Sequence, residues 1–458
     1  MDVKCIKKLL VLLLITVQIQ AEERKPNFII ILTDDQGYGD LGCFGGQHVS
    51  TPHIDQMARE GVRLTSFYVA GPVCTPSRAA LMTGCYPRRV GLPYVLLADS
   101  PTGLNPNETT VAKVLKKADY ATALIGKWHL GDRADFSPLH HGFDHFWGIP
   151  YSHDIHPYNP LQERFQFPPL PLYDGNQIIE TEPDADYLTQ RVTEQAIKFI
   201  EGNADNPFFL YLAHPMPHAP IHASPQFMKG ADEGVLDTLS QEDGTINYPV
   251  RDQLLRQCLE EVDWSVGQVL ETLKRLDIDE DTFVIFFSDN GPGRAGSAGP
   301  LKGKKGSAYE GGTRVATVAR WPGHIPAGGD NNELLSAMDL LPTFANLANS
   351  PLPEQKIDGL DISQTLLANA PSPRDVLYYH STKTLCAVRD HQWKLHLGNA
   401  RKNIGPQELT LYDLTQDIGE TKNVIDAHPE VAARLHKAAI KMNIELIEEA
   451  RPVGKVGR

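Results

Sequence analysis

The chain has 458 residues, of which 41% are hydrophobic and 22% are charged, and its formal net charge is -14. A chain of this length and apolar content buries a large core without disulfide bonds, which excludes a disordered protein and a small disulfide-stapled scaffold. The acidic charge argues against a nucleic-acid partner, because binding to phosphates requires a basic surface. The composition therefore indicates an ordinary globular protein of the size of an enzyme.

The N-terminus has the layout of a secretory signal peptide. Three lysines precede an apolar run at residues 9–17, and Ala21 provides a small residue at a cleavage point. The run is too short to span a membrane, which takes about 20 apolar residues. We expect residues 1–21 to be removed and the mature protein to be periplasmic or extracellular, or lysosomal or secretory in a eukaryote. No other segment predicts a membrane span.

Cysteine usage points to chemistry rather than to cross-linking. Five cysteines remain after the predicted cleavage, an odd number, so at least one thiol is unpaired even in an oxidising compartment. Their sparse spacing matches neither a zinc site nor a disulfide scaffold.

Four unbroken apolar runs of strand length end abruptly in polar residues. They are Asn27 to Leu32, Tyr120 to Ile125, Pro207 to Ala213 and Thr282 to Phe287. Such runs are typical of strands buried on both faces of a parallel sheet, and helical patterns at residues 111–118 and 253–276 lie between them. We predict an α/β fold with a large mixed, mostly parallel sheet sandwiched by helices. Ligands of such sheets bind beyond the carboxyl ends of the strands, where the polar residues stand.

The pattern changes after about residue 370. Four short, half-alternating segments separated by turns predict a small antiparallel sheet, and a helical pattern follows at residues 429–449. We therefore predict a catalytic domain at residues 22–369 and a smaller C-terminal α+β domain at residues 370–458.

Cys74 stands in the segment Cys74-Thr-Pro-Ser-Arg78-Ala-Ala-Leu-Met-Thr83-Gly84. Thr75 and Pro76 suit the N-cap and first turn of a helix that runs to about Thr83. Cys74 would then stand just before a helix N-terminus, which favours anions. These signals alone equally fit a buried thiol beside an ordinary cap.

The full string resembles the signature of the type I sulfatases, C-x-P-S-R-x-x-x-L-x-[ST]-G, and the chain is identified as a member of that family within the alkaline-phosphatase superfamily. The resemblance runs from Pro26 to Leu414 and is closest to the arylsulfatase A branch. It implies an alkaline-phosphatase-like fold and the hydrolysis of sulfate monoesters. It also implies that a maturation enzyme converts Cys74 to formylglycine, whose hydrate is the nucleophile, and that Arg78 holds this group.

An oxygen-rich metal site is predicted at the ends of two strands. Adjacent aspartates in a loop usually form a solvated turn, but Asp34 and Asp35 follow one buried strand, and Asp289 and Asn290 follow another. Three carboxylates and an amide suit a hard cation. The resemblance assigns both pairs, together with Cys74, to a bound Ca²⁺, with Mg²⁺ as the alternative.

Four potentially cationic residues follow the strands and match the sulfate site of the family: Lys127, His129, His218 and Lys305. Lys305 is preferred over its neighbours Lys302 and Lys304 because it precedes Gly306, as the family pattern requires. The resemblance assigns substrate binding to Lys127, His218, Lys305 and Ser152. It further implies that Asp289 draws a proton from the nucleophile, that His218 or Lys305 protonates the leaving alcohol, and that His129 takes the last proton as sulfate is expelled.

Two alternatives remain at this stage. One is a phosphate or phosphonate ester hydrolase of the same superfamily, and the other is a non-catalytic binder of sulfated glycans that kept the fold. The substrate could be a carbohydrate sulfate or an aryl sulfate. We expect His153 and His156, in a segment rich in His, Tyr and Pro, to contact it.

Overall fold

A computed structural model describes residues 24–241, 243–398 and 405–456 of the chain. The predicted signal peptide lies outside the described residues. The strands are β1 Asn27–Thr33, β2 Val62–Leu64, β3 Phe67–Tyr68, β4 Thr102–Gly103, β5 Ala121–Lys127, β6 His145–Ile149, β7 Pro171–Asp174, β8 Gln177–Thr181, β9 Phe208–Ala213, β10 Thr282–Ser288, β11 Thr317–Arg320, β12 Gly329–Asn331, β13 Leu335–Ser336, β14 Leu377–Ser381, β15 Thr384–Arg389, β16 Trp393–Leu397, β17 Leu409–Asp413 and β18 Gly454–Lys455.

The α-helices alternate with these strands through most of the chain. They are Pro52–Glu60, Cys74–Thr83, Val111–Lys116, Gln162–Phe165, Leu188–Gly202, Pro225–Met228, Glu233–Leu236, Tyr248–Arg251, Leu255–Arg275, Glu310–Thr313, Leu340–Leu347, Ser363–Ala368 and Pro429–Glu448.

Ten strands form one large sheet in the order β12-β2-β11-β10-β1-β9-β5-β6-β7-β8. The five central strands, β10, β1, β9, β5 and β6, are parallel, whereas β7 and β8 at one side and β11 at the other pair antiparallel. The predicted α/β fold with a mixed, mostly parallel sheet is confirmed.

Both faces of the sheet are buried because alternate residues of each central strand enter different cores. In β1, Phe28, Ile30 and Leu32 belong to one hydrophobic cluster, and Ile29 and Ile31 belong to the other. The helices Cys74–Thr83, Val111–Lys116 and Leu340–Leu347 cover the first face, and Pro52–Glu60, Leu188–Gly202 and Leu255–Arg275 cover the second. Burial on both faces explains why the runs are apolar without alternation.

The strand register brings the polar segments to one edge. Thr33 at the end of β1 is paired with Ser288 at the end of β10, so the residues that follow the two strands are neighbours. On the other side of β1, Leu32 is paired with Ala213 of β9, which is in turn paired with Gly126 of β5. The carboxyl ends of four parallel strands therefore meet where the sequence predicts the site.

The C-terminal region forms a four-stranded antiparallel sheet, β14-β15-β16-β17, covered by the helix Pro429–Glu448. It shares a hydrophobic cluster with the first region, in which Tyr68 and Met338 join Tyr379 and Leu446. The short strand β18 also returns to pair with β4. The small sheet is confirmed, whereas the boundary at residue 370 stays a prediction. None of the described helices is long and apolar enough to cross a membrane.

Candidate active site

The helix that carries Cys74 begins at Cys74 itself, with Val73 as its N-cap. The prediction of Thr75 as N-cap is wrong, because the Thr75 hydroxyl is used elsewhere. It donates to the carbonyl of His129, over 3.0 Å, and accepts from the amide of Leu96, over 3.2 Å. Thr75 thus fastens the start of the helix to two loops of the candidate site.

The Cys74 thiol lies in the interior, with 2% of the residue exposed. Burial raises its pKa, although Lys127 and Lys305 act in the opposite direction. An unmodified Cys74 is therefore a protonated thiol at neutral pH, and only the thiolate is a strong nucleophile. All five cysteines among the described residues are free.

Arg78, one turn further along the helix, joins three strand ends. Its Nε donates to Asp289 Oδ2 over 2.9 Å, and its Nη1 donates to the carbonyl of Lys127 over 2.8 Å. Its Nη2 lies 3.7 Å from Asp34 Oδ2. Arg78 is fully buried, so these partners fix the helix against the sheet edge.

The aspartates at this edge differ in charge state. Burial opposes ionisation of Asp34, yet Lys127, His218 and Arg78 hold its pKa well below the usual range. Burial, and then the charge of Asp34, raise the pKa of Asp289 to about 6. One carboxylate of the group is thus firmly ionised, while another is poised near neutrality.

Asp34, Asp35 and His218 bring ligand atoms close enough to hold a metal ion. Asn290 Nδ2 donates to Asp35 Oδ1 over 2.8 Å, which orients the amide. Within the described part of the chain, Asn290 Oδ1 and Asp34 Oδ1 are buried without a hydrogen-bond partner. Orphaned oxygens beside ionised carboxylates fit a hard cation such as Ca²⁺ or Mg²⁺.

Among the three candidate lysines, only Lys305 reaches this cluster. Its Nζ lies 2.7 Å from Asp35 Oδ1, whereas the Nζ of Lys302 donates to the carbonyl of Glu420 and that of Lys304 to the carbonyl of Arg294. Lys127, fully buried, forms an ion pair with Asp34. The two ammonium groups therefore face the two aspartates that follow β1.

His129 is buried and is held by the backbone. Its Nε2 lies 2.9 Å from the carbonyl of Leu96 and must carry the proton, since a carbonyl only accepts. Its Nδ1 has no hydrogen-bond partner among the described residues. Burial, and then the charge of Lys127, place the pKa of His129 well below its usual value. His129 is therefore a neutral base and not one of the cations that the sequence predicts.

His218 occupies the more open side of the cluster. Its Nδ1 lies 2.7 Å from the carbonyl of Ala219 and 3.4 Å from the hydroxyl of Ser152, and its Nε2 lies 3.7 Å from Asp35 Oδ2. Ser152, predicted to bind substrate, thus lies behind His218. Asp154, which the sequence analysis missed, is 4.0 Å from the same Nδ1.

His153 and His156, which we expect to contact substrate, are both buried, and that contact stays a prediction. His153 Nε2 lies 2.9 Å from the carbonyl of Pro220, and its ring packs edge-on against His218. His156 Nδ1 lies 3.4 Å from a Glu182 carboxylate oxygen. His153 therefore supports His218. Leu96 was also missed, since a backbone carbonyl leaves no signal in a sequence.

Comparison with known proteins decides the family. The sulfatase family profile matches residues 26–350. The chain belongs to the sulfatase family. A second profile, of the C-terminal region of N-sulphoglucosamine sulphohydrolase, matches residues 304–445.

Three relatives of this sulfatase extend the match over nearly the whole chain. Arylsulfatase A of Homo sapiens is 38% identical and covers 91% of this chain and 87% of its own. N-acetylgalactosamine-6-sulfatase of Mus musculus is 38% identical, and the match covers 81% of this chain and 72% of the mouse protein. The crystal structure of Ps i-CgsB in complex with k-i-k-neocarrahexaose has a TM-score of 0.78 at 30% identity, with 93% and 94% covered. The predicted family and enzyme class are confirmed: the sulfatase is a hydrolase of sulfate esters.

Proposed function

We propose that this sulfatase hydrolyses sulfate monoesters, with carbohydrate sulfates as the preferred class, by means of a formylglycine made from Cys74 and a bound divalent cation. The observation that carries the proposal is the position of Cys74, buried at the first turn of a helix and under the charges of Lys127, Lys305, Asp34 and Asp289. An ester with one anionic sulfate group fits a cluster of this mixed charge.

The nucleophile is proposed to be formylglycine because the thiol itself is unsuited. The raised pKa of Cys74 keeps the sulfur protonated, which disfavours direct thiolate attack. Formylglycine supplies a hydrated aldehyde with two hydroxyls, one for attack and one for release of sulfate. Asp289, with a pKa of about 6, accepts a proton near neutral pH and is held towards the helix by Arg78.

The cation is proposed to be held by Asp34, Asp35, Asp289 and Asn290, with the residue at position 74 completing the set. The unpartnered oxygens of Asn290 and Asp34 support this assignment, and Ca²⁺ is preferred over Mg²⁺ because it tolerates irregular oxygen sites. When bound, the cation supplies Lewis-acid withdrawal of charge from a sulfate oxygen.

The remaining roles follow from charge and tautomer. Lys127 and Lys305 bind the anionic sulfate oxygens, since the charges of both ammonium groups act at Cys74, where the ester must lie. His218, whose Nδ1 faces the carbonyl of Ala219, donates a proton from Nε2 to the leaving alcohol when its ring is doubly protonated. His129 Nδ1 has a lone pair and no partner in the described chain, so it accepts the proton whose loss releases sulfate.

A carbohydrate sulfate is proposed because one relative is an N-acetylgalactosamine-6-sulfatase and another was crystallised in complex with k-i-k-neocarrahexaose. An aryl sulfate is the second candidate, from the similarity to arylsulfatase A. Export by cleavage of residues 1–21 belongs to the same proposal, as does a formylglycine-generating maturation enzyme as partner.

The first test is a peptide mass spectrum of protein purified from its own host or co-expressed with a formylglycine-generating enzyme. The tryptic fragment from Leu64 to Arg78 contains Cys74 and no other cleavage site. We expect replacement of the thiol by an aldehyde, and loss of sulfate release from sugar sulfates and 4-nitrophenyl sulfate in Cys74→Ala. A free thiol in an active preparation would contradict the proposed nucleophile.

The second test is metal binding without turnover. We expect the purified protein to contain close to one Ca²⁺ by elemental analysis and to melt at a lower temperature after chelation, because the cation binds only the folded state. Asn290→Leu, which removes the orphaned oxygen, should lose that response. Asn346→Leu, on the helix Leu340–Leu347, is the matched control and should keep it. Equal responses in both variants would exclude Asn290 as a ligand.

A further inference from the structure

Lys305 lies in the segment of residues 302–313, here named the Lys305 loop, which is folded back on itself and ends in the short helix Glu310–Thr313. The amide of Gly311 donates to the carbonyl of Lys302 over 2.7 Å and so closes the loop. A side chain at Gly311 or Gly312 would overlap the carbonyl oxygens of Gly303 or Ser307. In so tightly folded a loop, we expect a shift at either end to move Lys305 as well.

Glu420, from the C-terminal region, contacts both ends of the Lys305 loop. Its carbonyl accepts from Lys302 Nζ over 2.9 Å, and its Oε2 accepts from the backbone amide of Glu310 over 2.7 Å. Glu420 is fully buried. One residue, remote in sequence, thus contacts the start of the loop through its backbone carbonyl and Glu310 through its side chain.

The bridge is anchored on the small antiparallel sheet. Glu420 Oε1 lies 2.7 Å from His396 Nε2 and 3.1 Å from Lys394 Nζ, both on β16. Lys394 also lies 2.9 Å from Glu310 Oε1, which accepts from the hydroxyl of Tyr379 on β14 over 2.8 Å. Buried ion pairs hold their geometry because breaking one leaves an uncompensated charge.

We propose that Glu420 is a positioning residue for sulfate-ester hydrolysis: its carboxylate, through the amide of Glu310, sets the Lys305 loop so that the Lys305 ammonium faces Asp35, while its backbone carbonyl holds Lys302. The C-terminal region thereby contributes to the active site without supplying a group that touches substrate. The inference rests on the substrate-binding role proposed above for Lys305.

The experiment is a kinetic double-mutant cycle between Lys305 and Glu420 in the full-length, matured protein. We expect Glu420→Ala to lower kcat/KM by about 10- to 100-fold, since misplacing a binding group by about 1 Å has effects of that size. In the Lys305→Ala background the same change should lower kcat/KM less than about twofold, because the group that it positions is gone. Glu420→Gln, whose amide oxygen still accepts from the Glu310 amide, should have a higher kcat/KM than Glu420→Ala. If the alanine variant does not fold, the double-mutant cycle is measured with the glutamine variant.

The control is Glu108→Ala, which breaks a different buried ion pair, with Arg451 at 2.7 Å, between the first region and the C-terminal tail. Its effect should be the same in both backgrounds, as expected of a purely structural loss. The positioning role is refuted if Glu420→Ala lowers kcat/KM by the same factor in the wild-type and Lys305→Ala backgrounds. It is also refuted if Glu420→Gln is no more active than Glu420→Ala. If Lys305→Ala by itself retains full activity, the proposed role of Lys305 fails and the inference fails with it.

Discussion

A single residue, Arg78, connects the helix of Cys74 to the sheet. Its guanidinium contacts Asp289, the carbonyl of Lys127 and, at longer range, Asp34, which belong to three different strand ends. Only arginine presents several donors in one rigid plane, so lysine cannot reproduce these contacts. The fixed arginine of the motif is thus explained by geometry as well as by chemistry.

A substitution of His153 tests whether its ring supports His218. We expect His153→Ala to lower kcat/KM about 10-fold on both 4-nitrophenyl sulfate and larger sugar sulfates, because the cavity beside His218 frees its ring irrespective of the substrate. Initial rates on the two substrates measure this. His140→Ala, at an exposed position, is the control and should leave both rates unchanged. A loss confined to the larger substrate would support direct contact instead.

At the scale of elements, the site depends on how closely β5 approaches β9. Gly126 of β5 has a φ of 113°, and a Cβ there would overlap the carbonyl oxygen of Ala213 in β9. Lys127 follows directly and contacts Asp34 and Arg78. The spacing of two strands therefore determines where a buried ammonium group stands.

Gly126→Ala is expected to separate these strand ends. We expect a loss of about 1–3 kcal/mol in the free energy of unfolding, from the positive φ and the overlap, and a fall in kcat/KM of about 100-fold. Denaturant unfolding and initial rates measure the two effects. Gly202→Ala is the control, since a Cβ at that helix end meets nothing within 4 Å, and it should change stability by less than about 0.5 kcal/mol. Wild-type activity in Gly126→Ala would show that the spacing of β5 and β9 does not position Lys127.

At the scale of the whole molecule, a buried ionic network joins the two regions. Glu310 contacts Lys394 of β16, Tyr379 of β14 and Tyr68 of β3. Burial opposes its ionisation, but Lys394, Arg389 and Arg314 hold the pKa of Glu310 far below its usual value. The interface between the regions is therefore electrostatic as well as apolar, and we expect acid to weaken it.

The sign of that sensitivity follows from the depressed pKa. The stabilisation by ionised Glu310 is complete above the pKa of an unfolded glutamate, about 4.3, and is lost as the pH falls below it. We expect Glu310→Gln to be less stable by about 3–5 kcal/mol at neutral pH, since it leaves buried cations unpaired, and to lose less further stability in acid than the wild type.

Denaturant unfolding across the acid range measures both effects. Glu430→Gln, at a side chain 72% exposed, is the control and should follow the wild type at every pH. If the free energy of unfolding of Glu310→Gln falls with decreasing pH as steeply as that of the wild type, other groups cause the acid sensitivity.

Much of this protein was determined by local sequence. The apolar runs of β1, β5, β9 and β10 predict the buried sheet, because burial and backbone propensity act over a few residues. The motif around Cys74 indicates the sulfatase family by its resemblance to the family signature. The same resemblance, with Gly306 after Lys305, selects Lys305 from three lysines, and its role stays a prediction.

The hydrogen-bond and ion-pair partners of the polar groups were known only from the folded chain. The neutral state of His129 depends on burial and on the charge of Lys127, and its tautomer depends on the carbonyl of Leu96, 33 residues away. The bridge from Glu420 to Glu310 spans 110 residues. Hydrogen bonds and desolvation act on distance in space, which a sequence does not contain, so charge states and supporting contacts emerged only once the chain was folded.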